Sequence, residues 1–567
     1  MTMLTPWRCR ATTALCLLLS ACAAGRSGAD GYTPVQVPDS GYGAFLAARY
    51  AEGQDDQAAA ARFYAAALRA DPGNAGIVQS GFQAGLLAGA PQAADLAAQL
   101  PDNPLAVMLR GNQAALAGQY DAAKQIFASL PQDDISGLVK PLLIAWMEFG
   151  EGNEQAALTG LTANGSGGSF GGVYGLNAAL VADAAGDAAA AAPLYAGLDN
   201  SQPDLRLAQV MASWLARSGQ ADQAQAELDA LMDAHPDLHT ALPALQAQVG
   251  QKVISTPTQG LAEAYLTLAG TLDSAQAATL RTVFLRFALQ LRPDLSAARL
   301  LLANSQVDAD DPNYTPTDVQ MRAALDTLSP IAKSDPLYAP AAVQEADILQ
   351  ALGAPDQGVA LLEGLVAQQP DDAGLLGITA DLLRGAGHDA EAKSYYTRAI
   401  AAAGQPAGEN EWTLFFDRAI CESDLNDWTS AEADVNASLK LSPDQPYVLN
   451  YLAYSWAEQG VKLAQAHAML TRAVALDPDD GAVIDSLAYV ELRQGEAKAA
   501  LQDSLKAVHL QPDDPEINGH LGDAFWAVGE KLHAAYQWQR ALSLKPDDKL
   551  KAEIEAKVAA HFGGGAP

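Results

Sequence analysis

Cysteine is nearly missing from this chain. Four occur in 567 residues; Cys9, Cys16 and Cys22 crowd the first 22 positions, and Cys421 stands alone far downstream. That set builds no disulfide framework. Positive charge is also thin, with 34 Lys and Arg against 67 Asp and Glu and a net charge of −33. A surface this acidic repels phosphate backbones and anionic lipid heads, so nucleic acid is excluded as a partner and neutral or basic partners are favoured. Aromatic residues make up only 7% of the chain while apolar residues reach 49%, much of it alanine. Such a core suits closely packed helices better than a sheet. Beyond the N-terminus no apolar run approaches the ~18 residues of a membrane span.

Catalytic signatures are lacking too. HExxH occurs nowhere, and no Ser, His and Asp fall at a spacing that suggests a triad. The glycine-rich stretch 165–172 (GSGGSFGG) lacks the Gly-Lys-Ser/Thr of a phosphate loop and reads as a flexible connection. His235 and His239 are four apart, but Pro236 between them places both at a helix end, away from any zinc geometry. Cys421, beside Ile420, reads as a small buried hydrophobe. The sequence is therefore read as non-enzymatic, with no catalytic residue, no cofactor, no metal and no small-molecule substrate.

What is present begins with an address. Residues 1–22 read MTMLTPWRCRATTALCLLLSAC: Arg8 and Arg10 precede an apolar run over 11–19 that is too short to span a bilayer as a mature helix. The run ends in Leu19-Ser20-Ala21-Cys22, which resembles the lipobox of bacterial lipoproteins, where cleavage precedes the cysteine and the thiol is acylated. The resemblance implies a signal peptide over 1–21 and lipidation at Cys22. Loss of the two arginines would take the net charge from −33 to −35. Ala23 at the next position goes with outer-membrane sorting in Gram-negative lipoproteins. Residues 22–40, rich in Gly, Ser and Pro, read as a tether.

The remainder is punctuated at a fixed interval. ALDPDD (475–480), HLQPDD (509–514) and SLKPDD (543–548) recur every 34 residues, and Pro443, Pro478, Pro512 and Pro546 lie 35, 34 and 34 apart. Between prolines the apolar pattern is helical twice. Within 481–512, Ile484, Leu487, Ala488 and Val490 trace one helix; Gly495 breaks it; Ala499, Ala500, Leu501, Leu505 and Val508 trace a second. Proline ends the second helix because it lacks an N–H and clashes with the preceding turn. The acids behind it cap the next helix and suit its positive end.

This pattern resembles the tetratricopeptide repeat, a 34-residue helix–turn–helix that stacks into an α-solenoid. The likeness rests on Leu452-Ala453, Ala466, Ala473 and Pro478; on Leu487-Ala488, Ala500, Ala507 and Pro512; and on Leu521-Gly522, Ala534, Ala541 and Pro546. It is strongest over 410–546 and good over 41–72, where Ala60, Ala67 and Pro72 carry it. The expectation is an all-α solenoid of about thirteen units. A partly degenerate N-terminal solenoid covers 41–250, degenerate repeats with an insertion cover 251–336, the C-terminal array runs over 337–546, and a capping helix fills 547–562. Each repeat is expected to contact only its neighbours.

The family binds partners in the groove lined by the first helix (helix A) of each repeat. Aligned on Ala419, Ala453, Ala488 and Gly522, that face takes Phe416, Asn450, Tyr454, Glu458, Asp485, Tyr489, Arg493, His520 and Asp523. The set is aromatic and acidic and lacks the lysines of the family's carboxylate clamp. Tyr454 and Tyr489 are expected to anchor a partner carrying apolar and basic side chains. The block from Leu449 to Gly529 resembles the tetratricopeptide lipoproteins of the Gram-negative envelope, one type of which is an adaptor for a carboxyl-terminal processing protease. The resemblance implies a scaffold at the periplasmic face of the outer membrane that recruits a protease or cell-wall hydrolase. A component of an envelope secretion or polysaccharide export machine is the alternative.

Overall fold

The computed structural model describes residues 40–132, 135–164, 170–199, 204–272, 274–307, 314–404 and 408–563. Cys22 and nearly all of the 22–40 segment lie outside them. The described residues are helical throughout, joined by turns and short 3₁₀ segments, with no strand among them. The fold is an all-α solenoid of tetratricopeptide-type helix pairs, and it divides into two compact units that meet in sequence at Leu361 and Leu362.

The repeated acids act as the spacing implies. Asp480 accepts from the N–H groups of Ala482 (2.8 Å) and Val483 (3.3 Å), Asp514 from Glu516 (2.8 Å) and Ile517 (3.0 Å), and Asp547 from Leu550 (2.7 Å). Each satisfies donors that a helix start leaves unpaired, a cap worth about 1 kcal/mol. The prolines act through the residue before them. Ser442, Asp477 and Gln511, each ahead of a proline, end their helices at φ near −130°, as clash with the proline ring requires. The turn inside each pair needs a left-handed residue. Gly495 supplies it at φ 83°, and Asn426 does the same work at φ 63°.

In the second unit the core is a row of small clusters. One gathers Phe416, Ala419, Val435, Leu452, Trp456 and Leu470; another gathers Ala534, Trp538, Ala541 and Ile554 beneath the terminal helix Asp548–Phe562. Among the described residues of this unit, helices pack against near neighbours along the chain, helix A against the next helix A included. At Gly522 a methyl group would sit 2.4 Å from the Trp538 ring, so no side chain fits there.

The first unit departs from that rule. Its pairs run Gly41–Gly53 with Gln57–Ala70, Ala75–Ala88 with Gln92–Ala97, Pro104–Leu116 with Tyr120–Ala128, Ile135–Gly150 with Glu154–Asn164, Gly171–Ala185 with Ala188–Ala196, and Leu205–Arg217 with Ala221–Ala234. The chain then turns back. The hairpin Pro257–Gly270 and Ala278–Leu291 lies across helices A of these earlier pairs, touching Ala75–Ala88, Pro104–Leu116, Ile135–Gly150 and Gly171–Ala185. Nearest-neighbour contact is therefore not the rule here. The physical reason is composition: Leu261, Ala262, Ala264, Tyr265, Leu266, Leu268 and Ala269 are buried, so the first hairpin helix is apolar on nearly every side and must be surrounded.

Polar contacts fix its register. Tyr265 donates its hydroxyl to Asn112 Oδ1 at 3.1 Å, and Arg286 Nε donates to the Leu87 carbonyl at 2.8 Å across 199 residues of chain. Glu263, wholly buried, takes a two-pronged contact from Arg206 at 2.7 and 2.6 Å. Gly260 lets the hairpin approach, since a methyl group there would lie 2.2 Å from the Trp146 ring. One continuous core runs from Val78 to Leu337 as a result.

Candidate protein-docking surface

Helices Trp412–Asp424, Pro446–Glu458, Gly481–Gln494 and Pro515–Ala527 are helices A of the C-terminal repeats. The last three touch in succession while their partner helices do not pack together as closely, which makes the A layer the inner one. Along it runs an aromatic ladder. The rings of Tyr454 and Tyr489 are 5.2 Å apart, and those of Tyr489 and His520 are 4.9 Å apart, so three repeats are joined through one file of side chains.

Each rung is held from behind. The Tyr454 hydroxyl donates to Glu516 Oε1 at 2.8 Å. Burial, then the neighbouring Glu516 carboxylate, raises the Tyr454 hydroxyl far above its ordinary range, so it stays a donor. Burial also lifts the Glu516 carboxyl. His520 Nδ1 lies 2.6 Å from Asp485 Oδ2. Burial opposes the imidazolium, but the Asp485 carboxylate outweighs it and lifts His520 to about 9, so the ring is charged at neutral pH and Nδ1 donates. Arg493 Nη1 donates to the Tyr489 hydroxyl at 3.1 Å.

The nine residues expected on this face divide into three groups. Tyr454, Tyr489 and Asn450 are half-buried, and Glu458 and Arg493 are exposed at the rim. Phe416, Asp485 and His520 are buried: Phe416 packs edge-on to Tyr447 and Tyr451, and the Asp485–His520 pair supports the ladder from beneath. These three hold the surface and do not present it. Asp523 faces the terminal helix, accepting from Trp538 Nε1 at 3.0 Å and Lys557 Nζ at 2.6 Å. Four acceptors on these helices are buried without a hydrogen-bond partner: Glu422 Oε2, Asn450 Oδ1, Asp485 Oδ1 and Glu491 Oε2. Sequence alignment alone passes over Glu516, because it sits in the first turn of its helix beside the cap. Its place before the ladder residue His520 at helical spacing is the signal that could have found it.

Elsewhere, Cys421 is buried and its thiol is pushed up to about 12 by that burial, which keeps it protonated and inert. His235 and His239 fall at the end of one helix and within the 3₁₀ segment Pro236–Ala241. No helix among the described residues is long and apolar enough to cross a membrane.

No family model matches the chain. A TPR repeat-containing protein of Pseudomonas aeruginosa is 28% identical over 160 residues, which is 28% of this chain and 26% of that one. The chain thus spans about a quarter of that curated relative's length. Among solved structures, the fragment of MamA from residue 41 of Desulfovibrio magneticus RS-1 is 19% identical, covering 31% of this chain and 96% of that one with a TM-score of 0.28. YrrB, described as a TPR protein with an unusual peptide-binding site, is 15% identical and covers 34% of this chain and 97% of its own, with a TM-score of 0.28. The architecture described above is an α-solenoid of tetratricopeptide-type helix pairs, and over 160 residues the chain is similar to a TPR repeat-containing protein.

Proposed function

We propose that the chain is a non-enzymatic scaffold of the bacterial envelope, anchored by a lipid on Cys22, which docks other proteins on helices A of residues 410–546. Tetratricopeptide repeats generally mediate contacts between proteins. In the first unit the A layer is covered by the chain's own hairpin; in the second, no helix among the described residues lies across helices A. The observation that carries the reading is the file of half-buried Tyr454 and Tyr489, with the exposed Glu458 at its rim. A segment bringing apolar and basic side chains would suit that surface. A protease or a cell-wall hydrolase of the periplasm is the partner class this reading favours.

Charge reversal tests it without disturbing the core. A Glu458→Lys, Arg493→Glu variant changes two exposed residues and should keep full helicity. It should recover at least tenfold less partner in a pull-down from detergent-solubilised envelopes. Undiminished recovery would place docking elsewhere. Labelled palmitate entering the wild type but not Cys22→Ser checks the anchor; absence of label from both would remove it.

A further inference from the structure

Four successive junctions in the C-terminal array place chemically different groups at the same three positions. At the first, Lys393 follows the buried Ala392, and its ammonium reaches Glu422 Oε1 at 3.1 Å and Asp427 Oδ2 at 3.5 Å. Glu422 is buried on helix Trp412–Asp424, and Asp427 caps the following helix. At the second, Glu432 accepts from Trp456 Nε1 at 2.9 Å and pairs with Lys462. At the fourth, Leu501, Phe525 and Glu530 occupy these places.

The third junction repeats the first with the lysine changed to histidine and the capping aspartate to glutamate. His467 follows the buried Ala466, Glu491 is buried on helix Gly481–Gln494, and Glu496 is the N-cap of the next helix. The backbone agrees: Asp427 N–H donates to the Glu422 carbonyl at 2.8 Å, and Glu496 N–H to the Glu491 carbonyl at 2.9 Å. The two carboxylates are kept, but the lysine that neutralises them is replaced by an imidazole.

The consequence is an electron-rich cluster. One donor atom from each of His467, Glu491 and Glu496 lies within 4.8 Å of the others. His467 Nε2 approaches Glu491 Oε1 only to 3.6 Å, and Glu491 Oε2 is buried with no hydrogen-bond partner although the residue is 5% exposed. Lys506, on the helix Ala497–Leu510 that follows, donates its ammonium to the Pro478 carbonyl at 3.0 Å.

We propose that His467, Glu491 and Glu496 form a binding site for a divalent transition-metal ion, which takes the place that the Lys393 ammonium holds at the first junction. One imidazole nitrogen with carboxylate oxygens suits zinc and its neighbours. Drawing the donors to about 2 Å from one ion falls to the half-buried His467 and the exposed Glu496, Glu491 being buried. Such an ion would pin two repeats together at the level of the docking surface, on helix Gly481–Gln494, which also carries Asp485 and Tyr489.

The test uses the full chain after chelator treatment, with zinc as the probe in calorimetric titration and thermal melting. The wild type should bind one equivalent at micromolar affinity and melt several degrees higher with zinc, and cobalt should give the visible absorption of a low-coordinate site. His467→Lys imports the arrangement seen at Lys393, so it should fold without metal yet bind zinc at least tenfold more weakly. Glu496→Gln, altered at an exposed position, should show the same loss. No heat and no melting shift in the wild type at millimolar zinc would overturn the proposal. So would undiminished binding by both variants, which would move the metal to another cluster.

Discussion

Residues 75–307 and residues 408–563 are built from the same helix pair, yet they make different kinds of protein. In the second stretch the pair is a repeat in the physical sense: each unit closes its own small cluster against its neighbours. In the first, the inner layer is sealed by the hairpin Pro257–Gly270 and Ala278–Leu291, and a single core joins positions 200 residues apart in sequence. A solenoid is approximately a sum of units and junctions; a solenoid filled by its own chain is a globule with a repeat history. The difference bears on the proposed function, because the hairpin covers the inner layer of the first stretch while no described helix covers that of the second.

The sharpest way to break the comparison is to remove the charge that locks the hairpin. Glu263→Ala leaves the Arg206 guanidinium buried without its partner, and breaking a buried pair in this way costs about 3–5 kcal/mol. Chemical denaturation should show the whole first unit failing together, with hydrogen exchange rising from 75 to 291 at once. A milder mutation in the second unit should act locally. Ala500→Leu overfills a fully buried site at a cost of about 1–3 kcal/mol, and faster exchange should stay within the adjoining pairs.

A smaller effect comes from protons. His520 is lifted to about 9, above its value of roughly 6.5 in an unfolded chain. A raised histidine contributes stability that is fully present below the unfolded value and is lost as pH rises through the folded one. The C-terminal array should therefore weaken between pH 6.5 and 9, by roughly 2 kcal/mol. Asp485, Glu516 and Asp523 are the carboxylates that set the sign. His520→Gln should flatten that dependence, and a profile equally steep in the variant would assign it to other groups. Smallest is the cap: Asp480→Ala should cost about 1 kcal/mol, read as a lower unfolding midpoint confined to the second unit.

How much of this was legible in the sequence follows from the same contrast. Over 410–546 the 34-residue interval, the Pro-Asp-Asp punctuation and the small residues each have a local cause, and local causes are written locally. The caps at Asp480, Asp514 and Asp547 could be read before any coordinates. The hairpin could not be read from period, because its meaning lies in partners 100–200 residues away. Its trace was nonetheless present in LAEAYLTLAG (261–270), where apolar residues occupy nearly every side and polar ones stand only at Glu263 and Thr267. Period alone makes no use of that signal. The layer of helices A was legible as a set of aligned positions. Which members reach solvent was not, since the burial of Phe416, Asp485 and His520 depends on the neighbouring repeats. The metal-ligand set escapes motif searching for a similar reason, His467 lying 24 residues before Glu491 on a different repeat.

The central claim is that the bare inner layer of the second unit, and not the sealed first unit, receives the partner. A photo-crosslinking residue placed in living cells at Glu458 or Arg493, with matched exposed sites at Arg62 and Gln502 on second helices, tests it most directly. The account predicts strong adducts to the same protein from 458 and 493, and little from 62 or 502. Adducts arising mainly from position 62, with none from 458 or 493, would contradict it.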